Sequence, residues 1–180
     1  INRITSVNSD LRYGGGEDVR DAIGKLIKAK GSEISLTHNT TEGINVAAWG
    51  LPLGKKDEVI ITSHEHVGNA MPWVNRDSHH GLVIKTFEPK KTGSEILNQI
   101  DALITKRTRV ISIPHISCTI GQNFPVKEVC KLAREKGIYS VIDGAHGAGG
   151  LDLNMAEIKP DVYVTCGHKW LLGPKGTGFL

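Results

Sequence analysis

The chain has 180 residues, of which 39% are hydrophobic and 23% are charged. A chain of this length and composition can bury one sizeable core, which excludes a disordered tail, a collagen and a disulfide-rich miniprotein. The formal net charge is only +3 and aromatic residues make up 5% of the chain. We therefore expect no nucleic-acid partner, since both a dense phosphate-binding stripe and a base-stacking surface are missing.

The cysteines point to a reducing compartment. Cys118, Cys130 and Cys166 form neither a paired framework nor a CxxC motif, which favours a cytoplasmic protein over a secreted one. No apolar run approaches the roughly 20 residues that cross a bilayer, and the first residues lack the order of a signal peptide. We therefore expect no membrane partner.

Short apolar runs alternate with helical stretches along the chain, a pattern typical of a mostly parallel sheet flanked by helices. Residues 1–12 are polar and irregular. The predicted strands are, in chain order, residues 33–37, 58–62, 82–87, 109–114, 139–143 and 161–165. Between them, Thr92 and Glu95 have the spacing of a capping box, and Pro125 opens a helix that Gly137 closes. Residues 77–81 are expected to form a turn between a helix and a strand.

Polar clusters follow five of these strands. They are residues 38–42, 63–66, 115–118, 143–146 and 166–169. In an open α/β sheet, ligands bind outside the carboxyl ends of the strands. The sequence therefore predicts that the functional site lies at this edge.

The run GHKWLLGPKGTG at residues 167–178 is the most specific of these segments. With the polar clusters, it resembles the class V aminotransferase family of pyridoxal-phosphate (PLP) enzymes, from about Ser35 to the last residue. This fold-type-I family holds cysteine desulfurases, isopenicillin-N-epimerase-like proteins and related C–S lyases. The resemblance implies that residues 1–180 are an incomplete large, PLP-binding domain, with the small domain absent. It also implies an amino-acid substrate and a homodimer.

Two residues carry the chemistry that this resemblance implies. Lys169 would form a Schiff base with PLP, which requires a neutral amine. Asp143 ends an apolar run and would face the pyridine nitrogen, because a fixed carboxylate keeps the ring protonated and electron-poor. The ordinary alternatives are a solvated surface lysine and an aspartate that caps a turn.

Three further residues would contact the cofactor, one at the face of its ring and two at its phosphate. By resemblance, His66 stacks on the ring and helps to move protons at the substrate α-carbon. Thr40 and Thr41 begin a predicted helix, whose free N–H groups and hydroxyls suit a phosphate. A satisfied loop histidine and a plain N-cap are the alternatives.

The remaining site residues depart from the pattern of many desulfurases. The resemblance puts His146 near the phenolic oxygen of the cofactor and His168 near its phosphate. Cys118, His146 and Cys166 stand where many desulfurases carry Asn, Gln and Ser. Thiols are poor hydrogen-bond donors, so the roles of Cys118 and Cys166 transfer less directly. His146 and Trp170 favour the epimerase-like branch.

The sequence therefore predicts a PLP-dependent enzyme acting on an amino acid as a transaminase, epimerase or C–S lyase, with a cysteine desulfurase as the alternative. Two other classes stay open. One is a metal-dependent hydrolase that uses the pair His64 and His66. The other is a non-catalytic binding protein that kept the fold. The glycines in 143–150 and 173–178 do not match a nucleotide-binding fingerprint or a phosphate loop.

Overall fold

One mixed sheet organises the computed structural model, which describes residues 16–180. The predicted irregular segment 1–12 lies outside the described residues. The strands are β1 (Leu36–Thr37), β2 (Glu58–Thr62), β3 (Val83–Phe87), β4 (Thr108–Pro114), β5 (Tyr139–Asp143), β6 (Val162–Cys166) and β7 (Gly178–Phe179). The helices are α1 (Glu17–Ile27), α2 (Thr40–Gly50), α3 (Val67–His80), α4 (Gly93–Leu103), α5 (Val126–Lys136) and α6 (Met155–Ile158).

The strand order is β1-β7-β6-β5-β4-β2-β3. Strands β3, β2, β4, β5 and β6 pair in parallel, and β7 pairs antiparallel with both β6 and β1. The register brings Asp143 beside Pro114 of β4 and Val164 of β6. The predicted mostly parallel sheet is therefore confirmed, and the carboxyl ends of β4, β5 and β6 meet at one edge.

Helices cover both faces of this sheet. On β2, the side chains of Val59 and Ile61 join a core with α2 and α3, whereas Ile60 joins the core with α1, α4 and α5. Side chains that alternate between two covered faces explain why the strands read as continuous apolar runs. In the described part of the chain, no helix is both long enough and apolar enough to cross a membrane.

Helix boundaries follow local signals. Thr92 caps α4 in a capping box with Glu95, and Gly137 ends α5 in the left-handed conformation. Both features match the sequence prediction. The N-cap of α2 is Asn39, whose side chain accepts from the backbone N–H of Glu42.

Two local predictions were wrong. Residues 77–81 are not a turn, because α3 continues to His80 and only Gly81 adopts the left-handed conformation that ends a helix. Residues 33–35 are not strand either, because Gly31–Glu33 form a 3-10 turn and β1 holds only Leu36–Thr37. The strand is short because its partner β7 has only two residues.

Candidate active site

The carboxylate of Asp143 lies at the centre of the predicted site, at the end of β5. It is buried, and Oδ1 accepts a hydrogen bond from the N–H of Ala145 at 2.9 Å. Burial raises the pKa of Asp143, while the charges of Lys169, His66 and His146 act against that rise. The fold therefore brings these four predicted site residues into one electrostatically coupled group.

Lys169 contacts His146 directly, across the carboxyl ends of β5 and β6. Its Nζ lies 3.2 Å from Nε2 of His146, and Nδ1 of the same ring accepts from the indole N–H of Trp170 at 3.0 Å. Burial and the charge of Lys169 lower the pKa of His146. The lysine is therefore engaged by a neighbouring side chain and is not a free surface charge.

His66 and Thr41 line one cleft next to this cluster. His66 caps α3, with Nδ1 accepting from the N–H of Gly68 at 3.0 Å. A side chain at position 68 would crowd both His66 and the Thr41 hydroxyl. The cleft between them measures about 330 Å³ and is also lined by Asn45 and Met71.

The hydroxyl of Thr40, the first residue of α2, is not used to cap the helix. Asn39 caps the helix, so the interpretation of Thr40 as a plain N-cap is wrong. The Oγ1 atom of Thr40 is buried and has no hydrogen-bond partner among residues 16–180, and the same holds for Nδ1 of His168. The Thr40 hydroxyl, in the first turn of α2, could donate to an anion bound at the helix N-terminus.

The two cysteines assigned to the site differ in their surroundings. Cys166 ends β6 and is buried, with its thiol 4.0 Å from the carbonyl oxygen of Ala145. Cys118 is exposed in the loop after β4. Within the described residues, no hydrogen bond joins either thiol to Lys169 or His146, so their predicted cofactor contacts stay predictions.

The metal-centre alternative gains no support from the geometry. His64 pairs with Glu88, with Nε2 and Oε1 2.8 Å apart, and Ser63 also hydrogen-bonds to Glu88. His66 uses Nδ1 to cap α3. From residue 16 onward, no group of three His, Cys, Asp or Glu side chains could hold an ion.

Packing explains the glycine-rich turn after β5. A Cβ atom at Gly144 or Gly147 would overlap the side chain of Tyr163 on β6. These glycines therefore let the turn after β5 pack closely against β6, as glycine does where two segments approach each other.

Glu65 and Trp170 were not among the predicted site residues. Glu65 is half-buried and accepts from Asn69 Nδ2 at 2.7 Å and from the N–H of Thr62 at 3.3 Å. Burial raises the pKa of Glu65 to about 8. The i, i+4 spacing of Glu65 and Asn69 is a sequence signal for their contact. No local pattern predicts that Trp170 contacts a residue 24 positions earlier.

The sequences most similar to this chain include enzymes of two named activities. It is 35% identical to isopenicillin N epimerase from Streptomyces clavuligerus over 164 residues, covering 89% of this chain and 41% of that protein. It is 32% identical to a probable cysteine desulfurase from Methanothermobacter thermautotrophicus, covering 91% and 41% respectively. The chain therefore spans about two fifths of the length of these relatives.

Solved structures agree with the predicted fold class. The Escherichia coli cysteine desulfurase CsdA superposes with a TM-score of 0.84 at 27% identity, over 91% of this chain and 42% of that one. The cystine C–S lyase C-DES, solved with cysteine persulfide, gives a TM-score of 0.88 over 99% of this chain and 47% of that one. Its identity is 24%, so this likeness bears on the fold only.

A profile of the family described as Aminotransferase class-V matches residues 9–180, which is nearly the whole chain. The match covers all the predicted site residues, and the fold is that of the related enzymes. The chain belongs to the class V aminotransferase family.

Proposed function

We propose that these residues form the PLP-binding part of an enzyme acting on an amino acid, with Lys169 bound through Nζ to the aldehyde carbon of the cofactor. The observation that carries this proposal is the Lys169 contact with His146, 3.2 Å long, beside the buried carboxylate of Asp143. A lysine amine and a buried carboxylate at adjacent strand ends are what PLP requires of a protein. Membership of the family supports the choice of cofactor.

Unpaired polar atoms fit the cofactor phosphate. Thr40 Oγ1 and His168 Nδ1 are buried without partners in the described part of the chain, and Thr40 lies in the first turn of α2. Phosphate oxygens would supply the missing acceptors, and the helix N-terminus favours their negative charge. Thr41 would bind the phosphate from the adjoining cleft. Cys166 would add at most a weak donor.

Asp143 would hold a proton at the pyridine nitrogen. When bound, PLP supplies an electron sink for the substrate α-carbon, provided that this nitrogen stays protonated. A buried carboxylate favours that state because a pyridinium gives its negative charge a partner in a dry environment. The pKa of Asp143 is raised by burial, so the charge of the carboxylate needs such a partner.

Lys169 and His66 would handle the protons of the substrate. Nζ of Lys169 would take the α-proton of the substrate or return it. Nδ1 of His66 is occupied by the N–H of Gly68, so the neutral ring carries its proton on Nε2. His66 would thus cover one face of the cofactor and present a donor there. His146 would donate to the phenolic oxygen.

The reaction is proposed at the level of its class: transamination, epimerisation or C–S cleavage of an amino acid. Cysteine desulfuration is the second candidate. It is favoured by the likeness to CsdA at 27% identity and by relatives that are named probable cysteine desulfurases. Each reaction leaves a different product from the same set of substrates.

The proposed enzyme is a cytoplasmic homodimer. Exposed apolar side chains lie along α2 and α3, next to the cleft of Thr41 and His66, and we name them the apolar face: Val46, Trp49, Met71 and Val74. Exposed apolar side chains beside a binding site are typical of a protein interface. Free cysteines, of which Cys130 and Cys166 are buried, are consistent with a reducing compartment.

A spectrum tests the cofactor assignment. The protein is mixed with PLP, freed of excess reagent, reduced with borohydride and mapped by peptide mass spectrometry. We expect a visible absorbance band and a pyridoxyl adduct on Lys169. Lys169→Ala should lose both, whereas Lys131→Ala, at an exposed lysine of α5, should keep both. An adduct on another lysine, or none, would overturn the proposal.

The reaction is then assigned by its products. The PLP-loaded, full-length protein is incubated in turn with cysteine, cystine and L-alanine. Alanine and persulfide from cysteine indicate a desulfurase, and pyruvate with cysteine persulfide from cystine indicates a C–S lyase. D-alanine indicates an epimerase. Turnover of any of these amino acids by Lys169→Ala at the wild-type rate would contradict the role of this lysine.

A further inference from the structure

Two consecutive residues hold one imidazole ring from opposite sides. The indole N–H of Trp170 donates to Nδ1 of His146 at 3.0 Å. Nζ of Lys169 lies 3.2 Å from Nε2 of the same ring. His146 therefore links the side chains of two neighbours in sequence, the proposed cofactor lysine and an indole.

The chemistry of these groups fixes where the protons are. An indole nitrogen can only donate, so Nδ1 of His146 presents a lone pair. The neutral ring then carries its proton on Nε2, which donates to Nζ of Lys169. An ammonium group has no lone pair to accept with, so this arrangement requires a neutral amine at Lys169.

Burial agrees with a neutral ring, because it is the largest cause that lowers the pKa of His146. The carboxylate of Asp143 acts against it. A protonated ring would also turn an N–H of Nδ1 towards the indole N–H and lose that hydrogen bond.

Burial in the core does not explain why a tryptophan stands at position 170. Its side chain is 56% exposed, so it gains little from the hydrophobic effect. The loop after His146 nevertheless packs against the backbone of this residue. Gly149 has φ of +84°, and a Cβ atom there would lie 2.6 Å from the carbonyl carbon and oxygen of Trp170. The main specific interaction of this indole is its hydrogen bond to His146.

We propose that Trp170 is a positioning residue for the capture of PLP, acting through His146 to present Lys169 as a neutral amine. This inference rests on the proposed function. In the capture step, the Nζ lone pair forms the C=N bond with the aldehyde carbon, and the aldehyde oxygen leaves as water with the two amine protons. Without Trp170, His146 can move its proton to Nδ1 and accept from an ammonium group, which has no free electron pair.

The first test reads the tautomer without the cofactor. Protein labelled with ¹⁵N at histidine is examined by NMR, and the His146 signals are assigned by their loss in His146→Ala. We expect a protonated Nε2 and an unprotonated Nδ1 in the wild type. In Trp170→Phe, which keeps a ring but lacks the N–H, we expect the Nδ1-protonated form to be populated. Tyr139→Phe is the matched control, since it also removes one hydrogen-bond donor from an aromatic side chain but lies at the first residue of β5, at the opposite end of that strand from Asp143.

The second test measures the rate of PLP capture near neutral pH. Loss of one hydrogen bond should slow capture about threefold to tenfold in Trp170→Phe. In a His146→Ala background, the same substitution should change the rate less than twofold, because the link to Lys169 is already broken.

The outcomes separate this inference from the proposed function. A changed tautomer with slowed capture in Trp170→Phe, and neither effect in Tyr139→Phe, supports the inference. A tautomer that does not change overturns it whether or not PLP binds. An unchanged capture rate with a changed tautomer also overturns it. A wild-type protein that takes up no PLP overturns the proposed function and the inference with it.

Discussion

At the scale of single residues, burial sets the protonation of the carboxyl groups around the site. Burial raises the pKa of Glu65 to about 8, and the nearby charge of Asp143 acts in the same direction. The hydrogen bonds from Asn69 and Thr62 oppose that rise. Glu65 therefore stays largely protonated at neutral pH, and its proton is one that the unfolded chain would release.

The Glu65 proton makes stability depend on pH. Between pH 4.5 and about 8 the folded state holds this proton more tightly than the unfolded state, so the free energy of unfolding contributed by Glu65 falls as pH rises. We expect Glu65→Gln to flatten that fall, because each unit of pKa shift corresponds to about 1.4 kcal/mol. Urea unfolding at several pH values across this window measures the slope.

The exposed Glu128 of α5 provides the control for this slope. Glu128→Gln removes a carboxylate of the same type without removing a buried proton, so its slope should match that of the wild type. Equal slopes in Glu65→Gln and the wild type would contradict the assignment of a raised pKa to Glu65.

At the scale of helices and strands, the sequence predicts what depends on local signals. The bounds of β2 and β5 match those predicted, and the capping box of Thr92 is present. Alternation and capping are properties of neighbouring residues, so they can be read without the fold. The extension of α3 to His80 was missed because polar residues next to a glycine are also typical of a turn.

The turn after β5 depends instead on a contact with another strand. The side chain of Tyr163 on β6 occupies the space that a Cβ at Gly147 would need, and its hydroxyl lies 2.9 Å from Nδ1 of His115. No sequence pattern shows that Gly147 packs against a residue 16 positions later. The sequence alone therefore suggests that Gly147 belongs to a flexible run, although close packing against Tyr163 requires a glycine at this position.

Adding one methyl group at this turn should destabilise the fold. We expect Gly147→Ala to cost about 1–3 kcal/mol of unfolding free energy, because the turn must shift away from Tyr163. Tyr163→Phe removes the crowded hydroxyl, so the double variant should recover part of the loss. Chemical denaturation gives both values.

Gly50, which ends α2, gives the matched substitution. A Cβ there meets no atom within 4 Å, so Gly50→Ala should change stability by less than about 1 kcal/mol. If Gly147→Ala were as stable as Gly50→Ala, close packing against Tyr163 would not be the reason for a glycine at position 147.

At the scale of the whole molecule, the parallel sheet assembles the site. Thr40, His66, Asp143 and Lys169 lie far apart in sequence but all follow strands, so their common edge was predictable from the strand pattern. The specific contacts between these side chains were not predictable from the sequence. Whether Lys169 meets His146 or solvent depends on loop paths set by packing between strands. Sequence reasoning therefore locates the site, and the structure supplies its hydrogen bonds.

The apolar face on α2 and α3 leads to a prediction about assembly. If it is buried between two copies of the chain, a charge placed there must lose its water on association, which is costly without a partner. We expect Val46→Glu and Met71→Glu to convert a dimer into a monomer. Val83→Glu, at an exposed valine of β3 outside this face, is the control and should stay dimeric. Sedimentation velocity on the full-length protein distinguishes the two states. A wild-type monomer, or a Met71→Glu dimer as stable as the wild type, would show that this face is not the interface.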